Sequence, residues 1–307
     1  MGLRVLGIFS LLIVLSSCSI EKFATHKPDK VYAEAGVEKH IYTLSESEVN
    51  VRICGSGKDT ILLVHGFGPL PYMQWSKQVD DLADGYVMIV PDLVYFGESH
   101  STSKKFSPEF QASQLGELLD SLNVEQVNVI GLSYGGLISA YFAKIFPERT
   151  ENVVLIDALS RYYTSELADS IARSFQRESI LDLLIPVDQL AIKQIFSITY
   201  AKTPYMPKFI RKKVKEELYS NQREEKTNLI RYLLEHETEI HAYDFKLDKS
   251  VSIIWGEQDG FLPVSNGEAL VNYYSGSLYT ISNTGHVANI ESADRVNELI
   301  REIIPNQ

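Results

Sequence analysis

Ser133 is the residue whose local pattern most directly suggests chemistry. It lies in Gly131-Leu132-Ser133-Tyr134-Gly135, directly after the β-branched run Val127 to Ile130 and directly before the apolar helical pattern Leu137, Ile138, Ala140, Tyr141 and Phe142. Strand, tight turn and helix in that order force the serine into a strained backbone, and only small neighbours such as Gly131 and Gly135 let the two elements pack closely. The turn lifts the hydroxyl clear of the sheet edge, over a helix N-terminus whose amides and positive dipole end favour negative charge. A hydroxyl so placed is a candidate nucleophile if a base and an acid reach it. His286, in Asn283-Thr284-Gly285-His286, and Asp259, in Trp255-Gly256-Glu257-Gln258-Asp259, are the candidates.

The elements that must position these residues alternate between buried strands and helices. Ile61 to Val64 is a continuous apolar run, as in a strand buried on both faces, and it ends in the loop His65-Gly66-Phe67-Gly68. Trp75 to Ala83 has helical spacing, and Tyr86 to Val90 reads as the next strand, followed by Pro91-Asp92-Leu93. Pro108 to Leu122 reads as a helix capped by Ser107, and Pro147 ends the helix after Ser133. Val153 to Ile156, Val251 to Trp255 and Leu278 to Ile281 complete the buried strands, and Ile290 to Ile304 closes the chain as a helix. Ahead of them, Ile41 to Leu44 and Val49 to Ile53 alternate as an antiparallel hairpin.

Between Tyr162 and His241 no strand-like alternation appears, only helical segments punctuated by Pro186, Pro204 and Pro207. The expected class is α/β: a mostly parallel sheet with helices on both faces and an inserted helical cap. The expected divisions are a core over 39–159 and 246–307 and a cap over 160–245. Ser133, Asp259 and His286 then fall at or just beyond strand C-terminal ends, where such sheets place their ligands.

The N-terminus has one positive side chain, Arg4, then an apolar run from Val5 to Leu15 that is too short to span a bilayer. It fits a signal peptide over 1–17. Leu15-Ser16-Ser17-Cys18 resembles a bacterial lipobox, which implies a lipid on Cys18, a membrane anchor and a place in the cell envelope; the competing reading leaves Cys18 incidental. Residues 18–38 are mostly polar without clear periodicity and read as a tether. With Cys18 lipidated, Cys54 is a lone thiol in core or strand-edge packing.

The bulk composition excludes several functions. The 307 residues are 45% apolar and 22% charged, enough for one large core. A net charge of −11 without a basic run interleaved with aromatics argues against nucleic acid, and Arg211-Lys212-Lys213 reads as a solvated helix face. No metal-ligand spacing occurs, so no metal is expected, nor any cofactor. Oligomeric state is left open.

In the chain order serine, aspartate, histidine, the sequence resembles the α/β-hydrolase superfamily from residue 40 to 305, through His65-Gly66-Phe67-Gly68, Gly131-Leu132-Ser133-Tyr134-Gly135-Gly136, Trp255 to Asp259 and Gly285-His286. It departs at Tyr95, where the superfamily usually has glycine. It is most similar to monoacylglycerol-lipase-like esterases. The resemblance implies a Ser133 nucleophile, His286 as base and acid, and Asp259 orienting the imidazole. It also implies an oxyanion hole made by the backbone amides of Phe67 and Tyr134.

Rival readings remain for several residues. Asp157, ending its strand, could serve as the acid in place of Asp259; His65 and Asp92 read as loop-ordering residues. Leu183, Leu184, Ile195, Phe196, Tyr200, Tyr205 and Met206 could line an acyl pocket, although most are expected to form the cap's own core. A serine nucleophile argues against dehalogenase and epoxide hydrolase chemistry, which use aspartate. Ester hydrolysis of a small, lipophilic substrate is expected, with carbon-carbon bond hydrolysis, proline-releasing peptidase activity and a non-catalytic binding role as alternatives.

Overall fold

The computed structural model describes residues 20–306. Its frame is an eight-stranded sheet in the order β1-β2-β4-β3-β5-β6-β7-β8. Strands β1 (Glu38–Thr43) and β2 (Glu48–Gly55) form the antiparallel hairpin, and β2 also runs antiparallel to β4 (Tyr86–Pro91). From β4 outward the pairing is parallel through β3 (Asp59–Val64), β5 (Val127–Leu132), β6 (Thr150–Ile156), β7 (Val251–Gly256) and β8 (Ser277–Ile281).

The central strands are apolar without a break because both faces are covered. Leu62, Val64 and Val129 point into one core, and Ile61, Leu63 and Ile130 into the other. Adjacent residues of a strand point to opposite faces, so each run serves two cores at once.

The helices run in chain order from α1 (Ile20–Glu34) through α2 (Ser76–Leu82), α3 (Pro108–Ser121) and α4 (Tyr134–Ile145). Ser107 caps α3, its hydroxyl accepting from the Phe110 amide at 3.1 Å. Between β6 and β7 the described residues contain no strand. They form α5 (Ser165–Ser174), α6 (Leu181–Leu184), α7 (Gln189–Thr199), α8 (Lys208–Lys213), a π-helical turn at Val214–Leu218, α9 (Arg223–Glu235) and α10 (Glu237–Ala242). The Asn221 and Gln222 side chains tie this cap to the core by donating to the carbonyls of Gly97 and Ser99. Helix α11 (Val264–Tyr274) precedes β8, and the C-terminal helix is split at Ser292 into α12 (Ala288–Glu291) and α13 (Ala293–Ile303).

The tether expected over 18–38 is corrected: its residues from Ile20 to Glu34 form α1, and Glu38 already belongs to β1. Tertiary contacts hold a helix that its own sequence does not announce. Tyr32 is buried and donates to the Tyr72 carbonyl at 2.8 Å, while the Tyr72 hydroxyl donates to Asp29 at 2.6 Å. The Arg52 guanidinium lies 3.8 Å over the Tyr72 ring, closing this side of the anchor. Cys18 and the signal-peptide segment lie outside the described residues.

Candidate active site

Ser133 sits between β5 and α4 with φ +52° and ψ −119°, a conformation that costs energy for any residue with a Cβ. Its amide donates to the Ile156 carbonyl at 3.0 Å, and its own carbonyl accepts from Gly136 and Leu159. A Cβ on Gly135 would overlap the Val64 carbonyl, so the neighbouring glycine is what lets α4 start this close to β3.

Asp259 leaves the end of β7 and His286 follows β8, and the two loops close on the serine. The His286 Nε2 is 2.8 Å from the Ser133 Oγ, and its Nδ1 is 2.7 Å from the Asp259 Oδ2. The other oxygen of Asp259 accepts from the amides of Phe261 and Leu262, both at 2.8 Å, so the carboxylate has a fixed orientation. All three side chains are buried, and the Phe261 ring meets the imidazole edge-on at 5.1 Å. This arrangement can relay a proton from a hydroxyl to an imidazole held in one tautomer by a carboxylate.

Asp157, the rival acid, is engaged elsewhere. Its two oxygens accept from the amides of Gly256 at 2.8 Å and Ala288 at 3.0 Å. It thereby ties the strand end before Asp259 to the turn after His286. Burial, and then the Asp259 charge, hold its carboxyl well above the usual range.

The loop His65-Gly66-Phe67 faces the serine from the end of β3. Its order comes from two side chains. His65 donates from Nδ1 to the Gly66 carbonyl at 2.8 Å and accepts at Nε2 from the Leu93 amide at 2.9 Å, so it is neutral; burial lowers its pKa to about 4. Gln74 grips the peptide of Gly66 from both sides, accepting from its amide at 2.9 Å and donating to its carbonyl at 3.2 Å. Phe67 and Tyr134, whose amides the resemblance implies as the oxyanion hole, both line the cavity beside Ser133.

Asp92 orders the next loop, accepting from Asn50 at 2.7 Å and from the Glu98 amide at 3.1 Å. In that loop Tyr95 has φ +72°, which explains why glycine is usual there.

The cavity above Ser133 has a volume of about 510 Å³. Of the seven cap residues considered for a pocket wall, Leu184, Ile195, Phe196, Tyr200 and Met206 line it, whereas Leu183 is core and Tyr205 is 92% exposed. Leu183 and Ile195 belong to the buried core and Leu184 and Phe196 pack against it, so most of the seven also serve packing, as expected.

Sequence reasoning missed several contributors. Ala24 and Pro28 of α1 form part of the wall, and the carbonyls of Ile198 and Thr199, at the end of α7, accept from Gly260 and His286. Backbone carbonyls leave no trace in residue type, and Gln74 has no motif of its own. Among the described residues no group of three His, Cys, Asp or Glu side chains could hold a metal ion, and Cys54 is a buried free thiol whose pKa burial pushes up to about 12.

An eight-stranded, mostly parallel sheet with a serine turn after β5 and an inserted cap defines a class. The model of the alpha/beta hydrolase fold matches residues 59–293, and the chain belongs to that family. Among curated proteins it is similar to a 2-hydroxy-6-oxononadienedioate/2-hydroxy-6-oxononatrienedioate hydrolase of Burkholderia vietnamiensis, 24% identical over 287 residues, covering 89% of this chain and 98% of the relative. Among solved structures it is similar to a membrane phospholipase A described as a bacterial virulence factor, with TM-score 0.75, 21% identity and coverage of 99% and 98%. It also resembles a putative lipase from Acinetobacter baumannii AYE, with TM-score 0.76, 21% identity and coverage of 95% and 98%.

Proposed function

We propose that this hydrolase cleaves lipophilic carboxylic esters, such as monoacylglycerols, through an acyl-enzyme on Ser133. We place it at the bacterial cell envelope, held by a lipid on Cys18. In this reading His286 takes the Ser133 proton as the oxygen attacks the ester carbonyl, then returns it to the leaving alcohol. Asp259 keeps the Nδ1 proton in place and stabilises the imidazolium. The Phe67 and Tyr134 amides receive the oxyanion, each contributing about 3 kcal/mol to the barrier reduction. Water then repeats the cycle on the acyl-enzyme.

The observation that carries the reading is the character of the cavity. Lys77 is its one Lys, Arg, Asp or Glu lining side chain among the described residues, and the walls are otherwise dominated by aliphatic and aromatic groups. An acyl chain fits such walls, whereas a dioate carries two carboxylates that would leave water for a site with one cation.

Carbon-carbon bond hydrolysis is the second reading. It is favoured by the names of the curated relatives, which match most of this chain. Both reactions would use the same three side chains.

Turnover of nitrophenyl esters from acetate to palmitate, beside decay of the dienedioate chromophore, separates the two. The ester reading expects turnover of medium or long acyl chains and a fall on the order of a millionfold in Ser133→Ala. Faster cleavage of the dienedioate, with esters untouched, would replace it by the second reading.

A further inference from the structure

The cap carries a surface that ester chemistry does not use. Between Lys193 and Lys215 the chain has seven Lys and Arg residues and no Asp or Glu, although its net charge is −11. Lys193, Lys202, Lys208 and Lys212 are exposed, and the ion-pair partner of Lys212, Glu216, is 4.0 Å away. Neighbouring acids are engaged elsewhere. Asp188 pairs with Arg177 at 2.9 Å, and Glu291 accepts from the amides of Ala201, Lys202 and Gly285.

Large apolar side chains are also exposed within this stretch and just before it. Tyr205 is 92% exposed, Leu190 54%, Phe209 53% and Val187 45%. Lys193, Tyr205 and Arg211 border a surface depression of about 310 Å³ together with Phe196 and Met206. Phe196 and Met206 also line the cavity above Ser133, so these two side chains partition the basic face from the site. The described chain begins beside this face: the Glu21 amide is 3.3 Å from the Glu217 carboxylate, at the end of the basic stretch.

We infer that this face of the cap docks on an anionic lipid bilayer. Its lysines lie over the lipid phosphates, and its aromatic and aliphatic side chains enter the boundary between headgroups and acyl chains. Exposed lysines beside exposed aromatic and aliphatic side chains are the composition that such a boundary selects. A lipid on Cys18 would fix the distance to the bilayer but not the orientation of the domain. The basic face supplies the orientation, turning the Phe196–Met206 partition towards the lipids. Only the use of that partition for substrate entry rests on the lipophilic-ester reading; the docking does not.

The test is sedimentation of the chain from Ser19 to Gln307, which contains every described element, with vesicles of phosphatidylethanolamine and phosphatidylglycerol or of phosphatidylcholine alone. Docking expects binding to the anionic vesicles that weakens with salt. It also expects a loss of at least about tenfold in Lys193→Glu/Lys202→Glu/Lys208→Glu and in Tyr205→Ser/Phe209→Ser, with circular dichroism and nitrophenyl acetate turnover unchanged. Equal binding to both vesicles, or indifference to the charge reversals, overturns it. Binding to single-stranded DNA with vesicles ignored also overturns it. Salt-sensitive vesicle binding by a protein that cleaves no ester upholds the docking and removes the ester reading alone.

Discussion

Replacing His65 by glutamine should flatten the acid side of this protein's stability profile. The ring is fully buried and neutral, and burial lowers its pKa from 6.5 to about 4. Below pH 6.5 the unfolded chain gains a proton on this imidazole, while the folded chain gains none until about pH 4. Stability that is complete above the unfolded value is therefore lost as pH falls through this window, and the loss levels off below it. The gap corresponds to about 3 kcal/mol.

Wild type alone does not isolate this effect. Asp92, and Asp157 more strongly, are pushed up by burial, and groups shifted that way act in the opposite sense. The difference between wild type and His65→Gln does isolate it. Glutamine can still offer one acceptor and one donor to Leu93 and Gly66, but it does not titrate. Urea unfolding between pH 7 and pH 4 should show the wild-type advantage shrinking by about 3 kcal/mol. Parallel curves across that range would refute the assignment of a buried neutral His65.

Three other substitutions test particular contacts. Asp157→Ala leaves the buried amides of Gly256 and Ala288 without their acceptor; unfolding should show a loss of about 2–5 kcal/mol, partly restored in Asp157→Asn, and steady-state kinetics a lower kcat. Tyr95→Gly relieves a positive φ worth about 1–2 kcal/mol, but removes a buried ring and its 2.5 Å bond to the Ser103 carbonyl. Large-to-small core changes cost about 3–5 kcal/mol, so thermal melts should show net destabilisation. Ala24→Trp fills part of the cavity from the α1 side, so the acyl-length optimum should shorten, with palmitate esters losing at least about tenfold in kcat/KM and acetate little changed.

Much of this architecture is legible in the sequence because local rules and packing agree. The strand, turn and helix around Ser133 follow from one apolar run, two glycines and one apolar helical pattern. Ser133, Asp259 and His286 converge because parallel strands deliver their C-terminal ends to one side of the sheet. What stayed hidden depends on partners far along the chain. Helix α1 is polar and contains Pro28, and it is held by Tyr72, which no local pattern links to it. Helix α11 was not read because Gly267 weakens its signal; a Cβ there would approach the Trp255 ring to 2.9 Å, so close packing outweighs propensity. The break at Ser292 likewise interrupts what reads as one closing helix.

The end of α7 gives the cap a second role. The Thr199 carbonyl accepts from the His286 amide at 2.8 Å, and the Ile198 carbonyl accepts from Gly260, beside Asp259, at 3.2 Å. Raising that end of the cap would release the backbone on which both His286 and Asp259 are mounted. An opened pocket would then be a disarmed one, and the proton relay would be assembled only once the cap has settled over its cargo. Relaxation dispersion would find the His286 amide exchanging at the same rate as α7, whereas a silent His286 beside a mobile α7 would uncouple them.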